Sequence, residues 1–331
     1  MKSFEDCVIS RIDDDKRIIH GNKIIVPANP DQGFNFPYVI FIPDKVNFQT
    51  NLIIEGANTG QSKQIVLEAV ADVIKDSAAR KILEWNNETN FPILTPAFPR
   101  IYDKENGGIY THMLTSQALN YKEKGLYRID NQLIKMIADA KEKLHDNNIN
   151  CSEKVILDGF SASAKFVNRF ALLHPEIVNL VIAGAISGAG ILPIKQIGDE
   201  LLLYPIGCGN IAEVTETKIE LFKKIKHFYY MGEFDPLDND PLGEKPDGSL
   251  ISESSITMEE AKQLYKFIGK RMLPERWQRF QQIYQELGVN AIFETYPNVG
   301  HDPSPAQEKV IELLKSCSIE VTENIAQSHI L

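Results

Sequence analysis

The 331-residue sequence lacks several features that mark membrane, secreted and metal-binding proteins. No window approaches the roughly 18 uninterrupted apolar residues of a membrane helix, and no internal repeat or low-complexity tract is present. The acidic N-terminal segment has no apolar core, so we expect no secretory signal there. The four cysteines are scattered and form no CxxC pair, so neither a zinc site nor a disulfide framework is indicated. We therefore expect a reduced, cytoplasmic protein without a membrane span.

Basic residues are also scarce relative to acidic ones. The formal net charge is -10 and the pI is about 5.3, whereas binding to nucleic-acid phosphates requires a concentrated basic face. We therefore expect no nucleic-acid partner. The hydrophobic fraction of 43% and the charged fraction of 24% are close to those of average soluble proteins, so the chain can form a sizeable core. Nothing in the composition predicts the oligomeric state.

The order of the predicted elements indicates an α/β fold. Two short β-rich runs near the N-terminus, Lys23–Val26 and Tyr38–Ile42, are punctuated by prolines and predict an antiparallel lead-in. Apolar runs then predict strands at Asn51–Glu55, Phe91–Phe98, Val155–Leu157, Val178–Ile186, His227–Met231 and Asn290–Tyr296. Helical spacing predicts helices at residues 62–83, Asp130–His145, Ser163–Leu173 and Pro305–Lys315. This alternation predicts parallel βαβ units and a sheet covered on both faces.

Two long connections interrupt the alternation, at residues 188–225 and 236–287. The second begins with a polar stretch, Asp238–Ser254, which we predict to be a mobile loop. Its remainder has a helical pattern and too many aromatic residues for disorder. Because long connections in compact domains are usually functional or disordered, we predict that the two insertions form a helical cap or lid on a single domain spanning residues 1–331.

A serine lies between a predicted strand and a predicted helix in the stretch LDGFSASAKF, residues 157–166. The turn that presents a serine nucleophile has the form Gly-x-Ser-x-Gly, and Gly159, Ser161 and Ser163 give Gly-x-Ser-x-Ser. Small flanking residues let the helix pass close to the strand, and Ser163 is small although it is not glycine. The alternative is that Ser161 or Ser163 only caps the following helix, as serine often does.

A serine hydroxyl becomes a good nucleophile when a histidine takes its proton and a carboxylate orients that histidine. His301 lies in NVGHD directly after the last predicted strand, and Asp235 lies in GEFD after the preceding one. Asp238 and Asp240 are close enough to replace Asp235 as the acid. A surface histidine and a turn aspartate are the alternatives. However, Ser161, Asp235 and His301 each follow a predicted strand, in the order nucleophile, acid, base.

With the motifs GFSAS, GEFD and GHD, the chain resembles the α/β-hydrolase superfamily from about residue 36 to residue 316. The resemblance implies the α/β-hydrolase fold, with a mostly parallel central sheet, helices on both faces and a helical lid. It also implies Ser161 as the nucleophile, His301 as the general base and later acid, and Asp235 as the residue that orients His301. Ser163 departs from the family pattern, which has a second glycine in the turn.

Acyl transfer also needs N–H groups directed at the developing oxyanion. The backbone N–H of Ala162, directly after the serine at a helix N-terminus, is one candidate. The superfamily takes the other donor from a loop after an earlier strand, and EGANTG at residues 55–60 is well placed, so Ala57, Asn58 and Thr59 are candidates. A phosphate-cradling loop is the alternative for this segment, but GANTGQS lacks the spacing G-x-x-x-x-G-K-[ST].

Five further residues are candidates for contact with substrate. Arg100, Tyr110 and His112 follow the strand predicted at Phe91–Phe98, and they are either substrate contacts or ordinary loop residues. Tyr204 and Trp277 lie in the two insertions and would line an acyl or aromatic pocket. The alternative for these two aromatic residues is packing in the core or the lid.

The sequence therefore predicts a metal-independent serine hydrolase that cleaves a small-molecule carboxylic ester through an acyl-enzyme. No cofactor is implied. An amidase, a peptidase or a thioesterase would use the same triad, because leaving-group preference resides in the pocket. A non-catalytic binding protein with this fold is the alternative from another functional class.

Overall fold

A nine-stranded β-sheet runs through the centre of the computed structural model, which describes residues 4–57, 63–77, 80–105, 107–236 and 256–318. The strands are β1 (Val8–Asp14), β2 (Ile19–Val26), β3 (Tyr38–Pro43), β4 (Gln49–Thr50), β5 (Ile53–Glu55), β6 (Ile93–Pro96), β7 (Ile101–Asp103), β8 (Gly107–Ile109), β9 (Asn150–Cys151), β10 (Val155–Phe160), β11 (Val178–Gly184), β12 (Gln196–Ile197), β13 (Glu200–Leu201), β14 (Lys226–Gly232) and β15 (Ala291–Tyr296). The helices are α1 (Val66–Asp76), α2 (Lys81–Trp85), α3 (Ser116–Asn120), α4 (Ile129–Asp146), α5 (Ala162–Leu173), α6 (Glu216–Lys224), α7 (Met258–Phe267), α8 (Trp277–Glu286) and α9 (Gln307–Ser316).

The order of strands across the central sheet is β1-β2-β3-β6-β5-β10-β11-β14-β15. The pairs from β1 to β6 are antiparallel, and the pairs from β6 to β15 are parallel. The antiparallel lead-in and the parallel βαβ units predicted from the sequence are therefore confirmed. Parallel strands need cover on both faces, and β10 and β11 are buried along most of their length.

Each face of the sheet packs against its own hydrophobic cluster. One cluster contains side chains of α1, α4, α5 and α8, and the other contains side chains of α2 and α9. Successive strand residues point to opposite faces, so on β10 Ile156 joins the α2/α9 cluster and Leu157 joins the α5 cluster. The predicted helices on both faces are confirmed. Within the described ranges, none of the helices has both the length and the apolar content needed to cross a bilayer.

Two elements differ from the predictions. The helix predicted over residues 62–83 is divided into α1 and α2, and Arg80 before α2 has an extended backbone. At the end of α1 the Ser77 hydroxyl donates a hydrogen bond to Ile74 O at 2.7 Å. Side-chain bonds of this kind compete with the helical ladder. The sequence pattern did not predict β1, because its residues are mostly exposed and polar, and antiparallel pairing with β2 holds it in place.

The two insertions contribute to the interior of the protein. Residues 188–225 contain the β12–β13 hairpin and α6, and Leu192 and Leu202 are fully buried. In residues 236–287, α8 packs on β15, and the Tyr284 hydroxyl donates to Ile191 O at 2.6 Å. The stretch Asp238–Ser254 lies outside the described residues. The cap or lid role of the insertions and the extent of a single domain stay predictions.

Candidate active site

Ser161 forms the turn between β10 and α5, and its backbone is strained. Its φ of 63° and ψ of -119° lie in a region that residues other than glycine seldom adopt. The Ser161 N–H donates to Gly184 O of β11 at 2.8 Å, which fixes the turn to the neighbouring strand. The Ser161 side chain makes no capping hydrogen bond to α5. Its hydroxyl is therefore not used to hold the helix.

Two glycines and Ser163 let the turn fit against the sheet. A Cβ atom on Gly159 would lie 2.5 Å from Ser163 O, and one on Gly56 would lie 2.8 Å from Ser163 Cβ. Ser163 is 1% exposed. Its Oγ accepts a hydrogen bond from Phe160 N and donates one to Phe160 O, each at 2.9 Å. Ser163 thus supplies a small side chain and also ties the first turn of α5 to the end of β10.

The structure joins the predicted histidine to the predicted acid. His301 Nδ1 lies 2.8 Å from Asp235 Oδ2, and the Asp235 side chain is 1% exposed whereas that of His301 is 23% exposed. Asp238 and Asp240 lie outside the described residues. Asp235 is therefore the carboxylate that the described structure places on His301.

The loops after β14 and β15 are held together by backbone contacts. Phe234 N–H donates to Val299 O at 2.8 Å. A Cβ atom on Gly232 would lie 2.1 Å from Gly300 O, so only glycine fits at this crossing. This close approach brings the acid and the histidine to the same edge of the sheet.

The imidazole lies beside the turn that carries the serine. The ring centroids of His301 and Phe160 are 4.7 Å apart, and Phe160 directly precedes Ser161. Among the described residues, no hydrogen bond joins the Ser161 hydroxyl to His301. The structure therefore pairs His301 with Asp235 directly and places the imidazole against Phe160, the residue before Ser161.

The candidate oxyanion donors lie in two segments at this edge. Ala162 is the first residue of α5, and N–H groups in the first turn have no partner within a helix. Ala57 follows β5 and is 7% exposed, while Gly56 N–H donates to Asp158 O at 2.9 Å and fixes the loop beside β10. Asn58 and Thr59 lie outside the described residues. The assignment of these donors stays a prediction.

Arg100, Tyr110 and His112 lie together after β6. The Arg100 guanidinium carbon is 4.3 Å from the centroid of the Tyr110 ring, a cation–π contact. His112 is 5% exposed, and its Nδ1 has no hydrogen-bond partner among the described residues. Burial, and then the charges of Arg100 and Lys165, lower the pKa of His112 to about 3. His112 is therefore neutral at physiological pH, and its contact with substrate stays a prediction.

Tyr204 and Trp277 are buried in the interior, at 1% and 3% exposure. The Tyr204 hydroxyl donates to Leu114 O, and Trp277 Nε1 donates to Thr295 Oγ1 at 2.8 Å. Trp277 also packs against the aromatic residues of α8 and β15. These contacts agree with the alternative of core packing, and the pocket role of both residues stays a prediction.

Sequence reasoning overlooked a group of cations near the turn. Arg169 and Arg276 are 7% and 3% exposed, and Lys165 is half-buried. Burial, and then the charges of Arg169 and Arg276, lower the pKa of Lys165 to about 7. The available signal was the pair of cations in KFVNR, on a helix whose other residues are nearly all apolar or small. Charged residues are seldom found on buried helices.

Two carboxylic acids lie together beneath the turn, and sequence reasoning missed them as well. Glu55 and Asp158 are register partners on β5 and β10, and both are buried. Burial, and then the neighbouring charge of Asp158, raise the pKa of Glu55. Burial also raises the pKa of Asp158. Arg80 Nε lies 4.0 Å from a Glu55 oxygen.

Three side chains of types that can bind a metal ion meet elsewhere in the described structure. Asp13, Asp15 and His20 bring ligand atoms within 4.8 Å of one another at the turn between β1 and β2. The two carboxylates are exposed, and β1 is the edge strand farthest in the sheet order from β14 and β15. This group therefore has no part in the site around Ser161.

No protein-family model matches the chain, and no curated protein matches it in sequence. Among solved structures it is similar to the poly(3-hydroxybutyrate) depolymerase LpqC from Bordetella parapertussis, with 16% identity, a TM-score of 0.55 and 91% of each chain covered. It is also similar to an S-formylglutathione hydrolase from Agrobacterium tumefaciens, with 11% identity, a TM-score of 0.48 and coverage of 94% of this chain and 97% of that one. At such identities the likeness concerns the fold. The chain has the α/β-hydrolase fold.

Proposed function

We propose that the protein is a serine hydrolase that cleaves carboxylic esters, with Ser161 as nucleophile, His301 as base and Asp235 as the residue that orients the base. The observation that carries the proposal is the strained Ser161 turn beside the His301–Asp235 hydrogen bond. A backbone conformation of this kind costs on the order of 1–3 kcal/mol, and such residues cluster at active sites.

The proposed mechanism has two steps. Ser161 Oγ attacks the ester carbonyl carbon while His301 Nε2 takes the hydroxyl proton. Asp235 accepts a hydrogen bond from His301 Nδ1–H, which leaves Nε2 as the base and stabilises the imidazolium. The C–O bond of the ester then breaks, His301 gives the proton to the leaving alcohol, and an acyl-enzyme remains. Water, activated by His301, releases the carboxylic acid and restores Ser161.

The tetrahedral intermediate carries a negative oxygen that needs fixed donors. We assign the Ala162 N–H, in the first turn of α5, as one of them. The second would come from the loop that begins at Gly56, whose N–H is held by Asp158 O. Such donors lower the barrier because they are in place before the charge develops.

The likeness to LpqC, named as a poly(3-hydroxybutyrate) depolymerase, supports hydrolysis as the activity on this fold. The same triad serves amidases, peptidases and thioesterases. We assign the choice of substrate to the pocket, and we propose that residues 188–225 and 236–287 shape it as a cap. A non-catalytic binding protein is the remaining alternative.

Labelling of Ser161 tests the proposal. The wild-type protein should react with a fluorophosphonate probe and hydrolyse p-nitrophenyl esters. Ser161→Ala should abolish the labelling and lower kcat at least about a thousandfold, because the nucleophile is lost. Ser152→Ala, which removes a hydroxyl bonded to Thr50 O away from the turn, is the control and should keep both properties.

Two results would contradict the proposal. Unlabelled wild-type protein with no hydrolysis of any ester would favour a binding protein. Full hydrolysis by Ser161→Ala would show that another residue is the nucleophile. Parallel assays with amides and thioesters of the same acyl groups determine which bond the enzyme prefers.

A further inference from the structure

A row of cations lies along α5 next to the proposed nucleophile. Arg169 follows Lys165 by four residues, so the two cations share one side of α5, and Ser161 directly precedes the first turn of this helix. Long side chains on a helix lean toward its N-terminus. This tendency directs a side chain at position 165 toward the first turn of α5, which Ser161 precedes.

The surroundings of Lys165 are positively charged. Within the described part of the chain, its ammonium makes no hydrogen bond or ion pair. Arg169 and Arg276 act on it by repulsion, and both are buried. Arg276 is anchored near the turn, because one of its guanidinium nitrogens donates to Ser187 O at 3.3 Å, three residues after the β11 residue that holds Ser161.

One acidic residue, Glu260, acts on Arg169 and also caps a helix. Glu260 is buried and attracts Arg169. However, Ser116 Oγ donates to one Glu260 oxygen at 2.6 Å, and Thr257 N–H donates to the other at 2.8 Å in the capping box of α7. Glu260 therefore stabilises α7 and also offsets part of the charge of Arg169, whereas no ion pair joins it to Lys165 among the described residues.

His112 is close enough to Lys165 to feel its charge, and it contributes a buried polar atom. The short turn that carries it, Thr111–Met113, packs against α5, and Arg169 donates to Met113 O at 2.7 Å. His112 Nδ1 is buried and lacks a hydrogen-bond partner among the described residues. Buried polar atoms in native structures usually have a partner, so His112 Nδ1 is available for a hydrogen bond to a bound molecule or to water.

We infer that this site binds esters whose acyl group carries a free carboxylate, with Lys165 and Arg169 as the residues that bind the carboxylate. The inference rests on the proposed function and names its substrate class. Buried charges of one sign are unfavourable unless an opposite charge is supplied. A substrate carboxylate would supply that charge one helical turn from Ser161, and it would accept hydrogen bonds from the ammonium and a guanidinium.

A matched pair of esters tests this inference. Mono-p-nitrophenyl glutarate carries a free carboxylate, and its methyl ester has nearly the same length without the charge. We expect wild-type kcat/KM to be at least about tenfold higher for the charged ester, because one hydrogen bond to a charged group contributes a factor of about this size. A ratio of one or less would overturn the inference. If the neutral ester were still hydrolysed and Ser161 labelled, the proposed function would stand.

Substitution of Lys165 identifies the binding residue. Lys165→Met keeps most of the side-chain length, and we expect the charged-to-neutral ratio of kcat/KM to fall at least about tenfold. Lys165→Arg should restore most of the ratio. Lys135→Met removes the same charge from the exposed side of α4 and should leave the ratio unchanged. An equal ratio in wild type and Lys165→Met would overturn the assignment.

A binding measurement decides the case in which no ester is cleaved. Calorimetric titration of the full chain with glutarate should show binding that Lys165→Met weakens at least about tenfold and Lys135→Met does not. The absence of binding to the wild type, or equal binding by both variants, would overturn the inference independently of the proposed function.

Discussion

Two clusters of buried or half-buried charged residues flank the Ser161 turn, and they differ in how their charge is balanced. Glu55 and Asp158 lie at the ends of β5 and β10, on the side of the sheet covered by α2 and α9. Lys165 and Arg169 lie on α5, which covers the opposite side. Burial raises the pKa of the two acids and lowers that of the lysine.

The acids can balance their charge within the protein. Two adjacent carboxyl groups can hold one proton between them, which removes one of the two charges. Arg80 lies 4.0 Å from Glu55 and opposes the remaining charge. Arginine cannot lose its proton in this way, so the positive charge on α5 persists. Glu260 offsets part of the Arg169 charge, but the Lys165 ammonium has no ion pair among the described residues, and the proposed substrate carboxylate would pair with it.

The largest expected effect separates Asp235 from Asp158, two buried carboxylates at the same edge of the sheet. Asp235→Asn should lower kcat for ester hydrolysis about 10³- to 10⁴-fold, because the amide favours the wrong tautomer of His301. Steady-state kinetics on p-nitrophenyl esters measure this loss.

The matched control is Asp158→Asn, which should lower kcat less than about tenfold, because Asp158 contacts Glu55 and does not reach the histidine. Equal losses in the two variants would show that the acid beneath the turn takes part in the reaction, and that the contrast between balanced and functional charge is mistaken.

The second prediction concerns stability and pH. The folded-state pKa values of Glu55 and Asp158 are raised, so the folded protein keeps a proton that the unfolded chain releases above about pH 4. The free energy of unfolding contributed by the pair should therefore fall as pH rises above about 4, by up to about 1.4 kcal/mol per pH unit. Urea denaturation of wild type and Asp158→Asn at several pH values measures the slope.

In Asp158→Asn the free energy of unfolding should fall less steeply as pH rises above about 4. The low pKa of His112, about 3, acts in the opposite direction, because its folded form resists protonation below about pH 6.5. Only the difference between the two proteins reports on the acid pair, since His112 is common to both. Parallel curves for wild type and variant would show that the carboxyl groups do not share a proton.

The sequence predicted those features that depend on order along the chain. The alternation of apolar runs placed β10, α5 and the last two parallel strands, and the ends of those strands held Ser161, Asp235 and His301. The clusters of buried charge depend on packing instead. Glu55 meets Asp158 through the register of two strands about a hundred residues apart, and no local pattern encodes that register.

The sequence pattern likewise could not predict which cations converge or where the aromatic residues pack. Arg276 joins Lys165 from an insertion more than a hundred residues away, so their convergence is visible only in three dimensions. The pattern around Tyr204 and Trp277 predicted large apolar contacts, which the structure contains. Periodicity alone cannot distinguish a core aromatic residue from one that lines a pocket.

The smallest expected effect concerns Ser163, which ties the first turn of α5 to the end of β10. Ser163→Gly removes both hydrogen bonds to Phe160 and adds glycine to the first turn of α5, so we expect a loss of about 1 kcal/mol in the free energy of unfolding. Ser163→Leu should cost about 1–3 kcal/mol, because its added atoms meet the backbone at Gly56.

Denaturation curves and ester hydrolysis of both Ser163 variants measure these effects. Glycine at this position restores the usual form of the turn, so Ser163→Gly should keep most of the wild-type kcat. Leucine would displace Gly56 and, with it, the loop that is proposed to carry an oxyanion donor, so Ser163→Leu should lose activity as well as stability. If Ser163→Leu kept full activity, the loop beyond Gly56 would not depend on this contact, and the packing explanation for the small residue at position 163 would be mistaken.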